Sequence, residues 1–204
     1  MKIRPWFLPE VPDVLGILHQ QSTVSVQCLD ELVAWAGGDA DAAVRLRDAE
    51  RDAGRCKHEL WRALRIAFST PLDPEDLYSL SFLLDVALSG AHNIVRDSEV
   101  FGLNPNDPSC AAMAVVCRDA VVALHDAFPV MANDAARATA LADEARHSAR
   151  RVEHLYRAAM PNVLARDDLR LVWAETLRYG LFIELADRVV RVSERVWYAV
   201  VKES

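Results

Sequence analysis

Apolar residues along this chain recur every three or four positions, in six runs separated by proline, glycine and asparagine. That period is helical, since residues three and four apart share one face. The first run opens behind Asp13 and passes Leu18, Val26, Leu29, Leu32 and Val33 to Trp35, and Gly37-Gly38 ends it. The second starts at Asp39 or Asp41 and passes Val44, Leu46, Leu60, Leu64 and Ile66 to Phe68. The third, over 73–101, carries Leu77, Leu80, Leu84 and Leu88, with Phe82 and Leu83 widening the stripe and Gly90 inside it. Asp73 is placed as its N-cap, Pro74 as its first residue, and Glu75 and Asp76 at the positive end of its dipole.

A break rich in asparagine and proline follows over 102–108, and Asp107-Pro108 repeats the cap-then-proline arrangement. The fourth run passes Met113, Val116, Val121 and Leu124 to Phe128, where Pro129 stops it. The fifth starts at Asn133 or Asp134, is strongly polar, and is expected to end at Met160 before Pro161. The sixth, over 168–201, presents Leu171, Trp173, Leu177, Leu181, Phe182 and Leu185, then Val189, Val192, Val196 and Trp197. The pattern predicts an all-α bundle of six helices in one domain. Its approximate halves are 1–103 and 104–204, each of three helices.

Composition narrows the class further. In 204 residues, 52% are hydrophobic and only seven are glycine, which suits helices and leaves little for turns. With 23 basic and 30 acidic residues the net charge is −7, and without a basic tract nucleic acid is not an expected partner. Cys28, Cys56, Cys110 and Cys117 form no C-x-x-C pair, and are expected to be reduced, small apolar residues in a cytoplasmic protein. No stretch reads as a membrane span or a signal peptide. The apolar arm Trp6-Phe7-Leu8 is expected to dock on the bundle, or, in a structural homo-oligomer, to mediate assembly.

One string carries more than a helix start. Phe68-Ser69-Thr70-Pro71-Leu72-Asp73-Pro74-Glu75-Asp76-Leu77-Tyr78, running on to Asp85, resembles the "F-x-T-P-x-D-x-E-D-(I/L)-Y-x-L…L-D" signature of the PhoU-like family of phosphate-transport accessory proteins. Upstream, residues 48–54 fall where that family has an E-x-x-A-D motif; downstream, Glu184-Leu185-Ala186-Asp187-Arg188 resembles its last-helix "E-x-A-D-R". The C-terminal Val200-Val201-Lys202-Glu203-Ser204 is similar as well. The resemblance implies a PhoU-like antiparallel bundle of two three-helix units. It further implies a non-enzymatic, cytoplasmic regulator of inorganic phosphate transport that contacts the cytoplasmic face of a Pit-type membrane transporter. Self-association as a homodimer is a further expectation.

In PhoU relatives, helical carboxylates spaced E-x-x-x-D are associated with iron or zinc, because residues four apart can present oxygens to one cation. Here the pattern is eroded. Glu50 is present but the aspartate position is Gly54, with Lys57 and Trp61 near the same face; Asp85 is present but its partner is Ser89. On the fifth helix the carboxylate positions are Ala142 and Arg146. No cofactor is expected from this set. The alternative is a metal-binding bundle with a single iron or zinc ion held by Glu50, Asp85, Glu184 and Asp187, with His92 as a nitrogen ligand. Glu184, Asp187 and Glu194 share a helix face with Arg191, whose guanidinium is expected to pair with them. Glu144-Ala145-Arg146-His147 has E-x-x-H spacing but stands alone on an arginine-rich helix, where intrahelical ion pairs are expected instead. No nucleophile motif or phosphate-cradling glycine loop is present.

Overall fold

The computed structural model describes residues 12–202 as six long helices. These are α1 (Val14–Ala36), α2 (Ala42–Ile66), α3 (Pro74–Val100), α4 (Pro108–Ala127), α5 (Ala135–Leu164) and α6 (Leu169–Lys202). A single 3-10 turn, Phe128–Val130, follows α4. The expected boundaries are met at most ends because the predicted caps form. The side chains of Asp13, Asp73, Asp107 and Asp134 each accept a hydrogen bond from a first-turn backbone N–H. Asp168 does the same for Arg170 N at 2.9 Å, at the start of α6. Two turns depend on glycine: Gly38 and Gly102 take φ of 106° and 64°, the left-handed region that other residues avoid.

Two ends depart from expectation. α2 stops at Ile66 rather than Phe68, because Ala67 is already extended on the approach to Thr70-Pro71, and Phe68 is left 95% exposed. α5 runs through Pro161 to Leu164. Proline there forfeits one backbone donor in the last turn, while the following Val163 is 2% exposed, and its burial favours continuing the helix.

Helix α1 packs on α2, α3 and α4, and α6 packs on α3, α4 and α5. The buried apolar residues form one cluster fed by all six helices, with Leu18, Leu60, Leu84, Leu124, Val152 and Phe182 among its members. The apolar stripe expected for α6 is displaced. Phe182, Leu185, Val189, Val192 and Val196 are buried, but Trp173, Leu177 and Trp197 lie on the surface. Val44 and Ile66 of α2 are exposed too. Position along the helix, not residue type, decides these cases: each lies off the arc that faces a neighbouring helix. Trp6, Phe7 and Leu8 lie outside the described residues.

Candidate functional site

Glu50, Gly54, Lys57 and Trp61 follow one another along α2, and Asp85, Ser89 and His92 along α3, each set at steps of three or four residues. Packing of α2 on α3 brings the two rows together as a charged seam. His92 Nδ1 lies 2.6 Å from Glu50 Oε2, and Ser89 Oγ donates to Glu50 Oε1 at 3.0 Å. Lys57 Nζ donates to Asp85 Oδ2 at 2.5 Å and stands 5.3 Å over the Trp61 ring. Trp61 in turn stacks on Tyr78 at 4.8 Å, with His58 at its edge. The absent side chain at Gly54 faces Asp85: a Cβ there would sit 3.9 Å from Asp85 Oδ1.

The seam therefore neutralises its own carboxylates. Lys57 and Asp85 are both mostly buried side chains, as are Glu50 and His92. The two α6 carboxylates are elsewhere in character. Glu184 is 61% exposed and pairs with Arg188 at 3.5 Å, and Asp187 is exposed on the same helix. Arg188 Nη1 also donates to the Val86 carbonyl at 3.1 Å, which ties α6 to α3. It lies against Gly90, where a Cβ would come within 3.0 Å of that nitrogen, so Gly90 marks close packing of the guanidinium. The structure corrects the pairing expected of Arg191: Arg188 is the residue that holds Glu184, being one helical turn beyond it.

As a ligand set, Glu50, Asp85, Glu184 and Asp187 do not fit a metal ion. Among the described residues no three of the His, Cys, Asp and Glu side chains are grouped to hold one. The physical reason lies in the seam: an ammonium already occupies the Asp85 carboxylate, and His92 turns its Nδ1 to Glu50 rather than to a shared centre. The lone E-x-x-H element is also accounted for, since His147 Nδ1 donates to the Asp143 carbonyl at 2.7 Å. Nearby arginines form the expected intrahelical pairs, Arg146 with Asp143 and Arg157 with Glu153.

The sequence string that begins at Phe68 has a structural task. Thr70 Oγ1 donates to the Leu72 carbonyl at 2.6 Å, shaping the turn into α3. Asp73 caps Glu75 N at 2.8 Å and receives Lys202 Nζ at 2.5 Å, and the Lys202 contact holds its carboxyl below the usual range. Asp76 is 1% exposed and lies 2.6 Å from Arg195 Nη2. The second aspartate-proline start is held by the same helix from its other half. Arg178 donates to Asp107 Oδ2 at 2.5 Å and to the Asn104 carbonyl at 2.8 Å, and Tyr179 OH donates to Asp107 Oδ2 at 2.9 Å. Burial raises the Asp107 pKa, but Arg178, Tyr179 and two backbone N–H groups outweigh it and the net shift is downward. α6 thus clamps the starts of both α3 and α4. Sequence reading finds the two caps and misses their clamps, although Arg178 and Arg195, charges within apolar runs, were the available signal.

A second pairing was also missed. His19 of α1 and His125 of α4 stack with ring centroids 4.4 Å apart. Ser22 Oγ donates to the His19 carbonyl, so His125 Nδ1–H donates to Ser22 Oγ, at 3.0 Å. Burial, then His19, pushes the His125 pKa below its ordinary value. The cysteines are free and buried; burial pushes the Cys117 thiol up to about 12, and Cys28 and Cys110 also rise through burial. None is poised as a nucleophile.

The fold is that of the PhoU-like proteins. It matches a PhoU-like protein from Shewanella oneidensis MR-1 with a TM-score of 0.78 at 16% identity, covering 93% of this chain and 100% of that one. It also matches the phosphate transport system regulatory protein PhoU from Streptococcus pneumoniae, with a TM-score of 0.74 at 13% identity over 96% of each chain. In sequence the chain is similar to a protein of Rhizobium meliloti (strain 1021) named as a Pit accessory protein: 23% identical over 178 residues, 84% of this chain and 83% of that one. No family model matches the sequence. The resemblance read from the Phe68 string agrees with both the fold and the named relative.

Proposed function

We propose that this protein is an accessory regulator of inorganic phosphate transport that works without catalysis, by binding the cytoplasmic face of a membrane phosphate transporter. The observation that carries the reading is one chain similar to two kinds of relative. The match to the PhoU-like fold covers 93% of the chain, and most of its sequence aligns with a protein named as a Pit accessory protein. The described chemistry suits such a role. The buried cysteines are unreactive in character, the charged seam is self-neutralised, and no helix of the described residues is long and apolar enough to cross a membrane. A regulator of this kind acts through surface complementarity, with long helix faces supplying the contact area. The test is affinity capture from cross-linked membranes of the native host. A phosphate transporter enriched with the bait over a mock-tagged control is expected; its absence, with the bait itself recovered, would overturn the reading.

A further inference from the structure

Among the described residues three charged side chains are almost wholly buried: Asp76, Glu175 and Arg178, at 1%, 5% and 2% exposed. Taking a charge out of water is costly unless partners surround it. Asp76 has Arg195. Arg178 has Asp107 and the Asn104 carbonyl, although its Nε finds no acceptor. Glu175 is the exception. Its carboxylate accepts no hydrogen bond among the described residues. Its ion-pair partner is Arg166, 3.1 Å away in the turn between α5 and α6, whose side chain stands about half in solvent. A buried carboxylate this poorly satisfied calls for a further donor.

Glu175, Arg178 and Arg166 line one cavity of about 430 Å³, where the segment 102–108, the α5–α6 turn and α6 meet. That volume lies in the range of small-molecule sites. Its four charged groups cancel in pairs, Asp107 with Arg178 and Glu175 with Arg166. A simple anion would meet two carboxylates there, and a simple cation two guanidinium groups. The Asp107–Arg178 pair is fixed by further bonds from Tyr179 and to the Asn104 carbonyl. The other pair is loose at its outer end: re-aiming Arg166 strands no buried charge, while Glu175 stays in place. A ligand carrying both charges, inserted between these two, keeps each of them neutralised. We infer that this cavity binds a free α-amino acid as its zwitterion, with the ammonium donating to Glu175 and the carboxylate receiving Arg166. Leu103 and Leu171, also in the lining, offer apolar surface to the side chain.

The pairing fixes what the cavity rejects. A ligand lacking either charge breaks the Arg166–Glu175 pair and replaces only half of it, so one protein charge is left without a partner. An ammonium supplies three donors to the carboxylate, and the Arg166 fork suits a ligand carboxylate bidentately. The inference stands apart from the transport reading, since it rests on this cavity alone and either can fail without the other.

The experiment is isothermal titration calorimetry on the full chain with L-leucine and L-phenylalanine as probes. Saturable binding of at least one, at one per chain, is expected. For leucine the controls are 4-methylpentanoate, which lacks the ammonium, and 3-methylbutylamine, which lacks the carboxylate; for phenylalanine they are 3-phenylpropanoate and 2-phenylethylamine. Each control should bind roughly tenfold more weakly or worse. Arg166→Ala and Glu175→Gln should each weaken the amino acid by a similar factor, with helicity unchanged by circular dichroism. Arg157→Ala, an exposed arginine elsewhere on α5, should leave it as it was. Arg166 lies at the surface, so its variant keeps the test decisive should Glu175→Gln fail to fold. No saturable binding of either amino acid would overturn the inference and leave water as the occupant. Binding matched by a singly charged control, or indifferent to Arg166→Ala, would overturn it as well.

Discussion

At Asp85 the carboxylate receives the Lys57 ammonium, and at Glu50 it receives both a serine hydroxyl and a histidine nitrogen. Each contact lies in a mostly buried seam, where losing one partner strands the other. Lys57→Met should therefore cost about 1–3 kcal/mol of stability, whereas Glu184→Ala, on the exposed α6 face, should change it by no more than about 0.5 kcal/mol. Urea unfolding of the two variants beside the parent protein measures the contrast. The stacked histidines make a second prediction, with a sign fixed by the direction of the shift. The His125 pKa is lowered in the folded protein by burial and by His19 of α1, with only Asp126 of α4 opposing. The unfolded chain therefore takes up the proton first as pH falls below about 6.5, and stability present above that value is lost through the lowered folded pKa. His125→Gln should remove that portion. The drop in melting temperature between pH 7.5 and 5.5 is expected to be smaller in the variant than in the parent; an equal drop would show that the pair does not contribute.

At the scale of the helix, α6 is the element on which the two proline-led starts depend. Asp76 is nearly inaccessible and faces Arg195, so Asp76→Ala removes a buried partner and should cost about 3–5 kcal/mol. Asp73→Ala should cost about 1 kcal/mol, as loss of a cap with a surface lysine contact. Thermal unfolding that ranks the two in the opposite order would contradict the clamp described here. The difference also shows what sequence can reveal about an element. Asp13, Asp73, Asp107 and Asp134 were legible as caps because capping chemistry is local: a side chain bonds a backbone two or three residues away. The end of α5 was misread because Pro161 is a local signal overruled by the burial of Val163. Trp173, Leu177 and Ile66 were misread as core because periodicity fixes a face but not which face meets a neighbour. Pairings such as Asp76 with Arg195, or His19 with His125, join residues more than a hundred positions apart, and only the packing of helices selects them.

For the whole molecule, the six helices share one buried cluster, so these local losses act on a single core rather than on separate parts. The PhoU-like architecture was legible before the packing because helix count, break positions and the Phe68 string all point the same way. The proposed metal site was not retained, because eroded carboxylate spacing leaves protein cations as the natural partners and the seam supplies them. What remains for function is surface: a long α6 face, an exposed Phe68 between α2 and α3, and an acidic net charge. The regulator proposed above would use these surfaces for contact. The most direct measurement of that claim is uptake of radiolabelled inorganic phosphate in native-host cells lacking the gene, compared with cells in which it is restored. The account predicts a changed uptake rate, or a changed response of uptake to external phosphate, that returns to normal on restoring the protein. Uptake that is identical in the three strains at limiting and at abundant phosphate would contradict it.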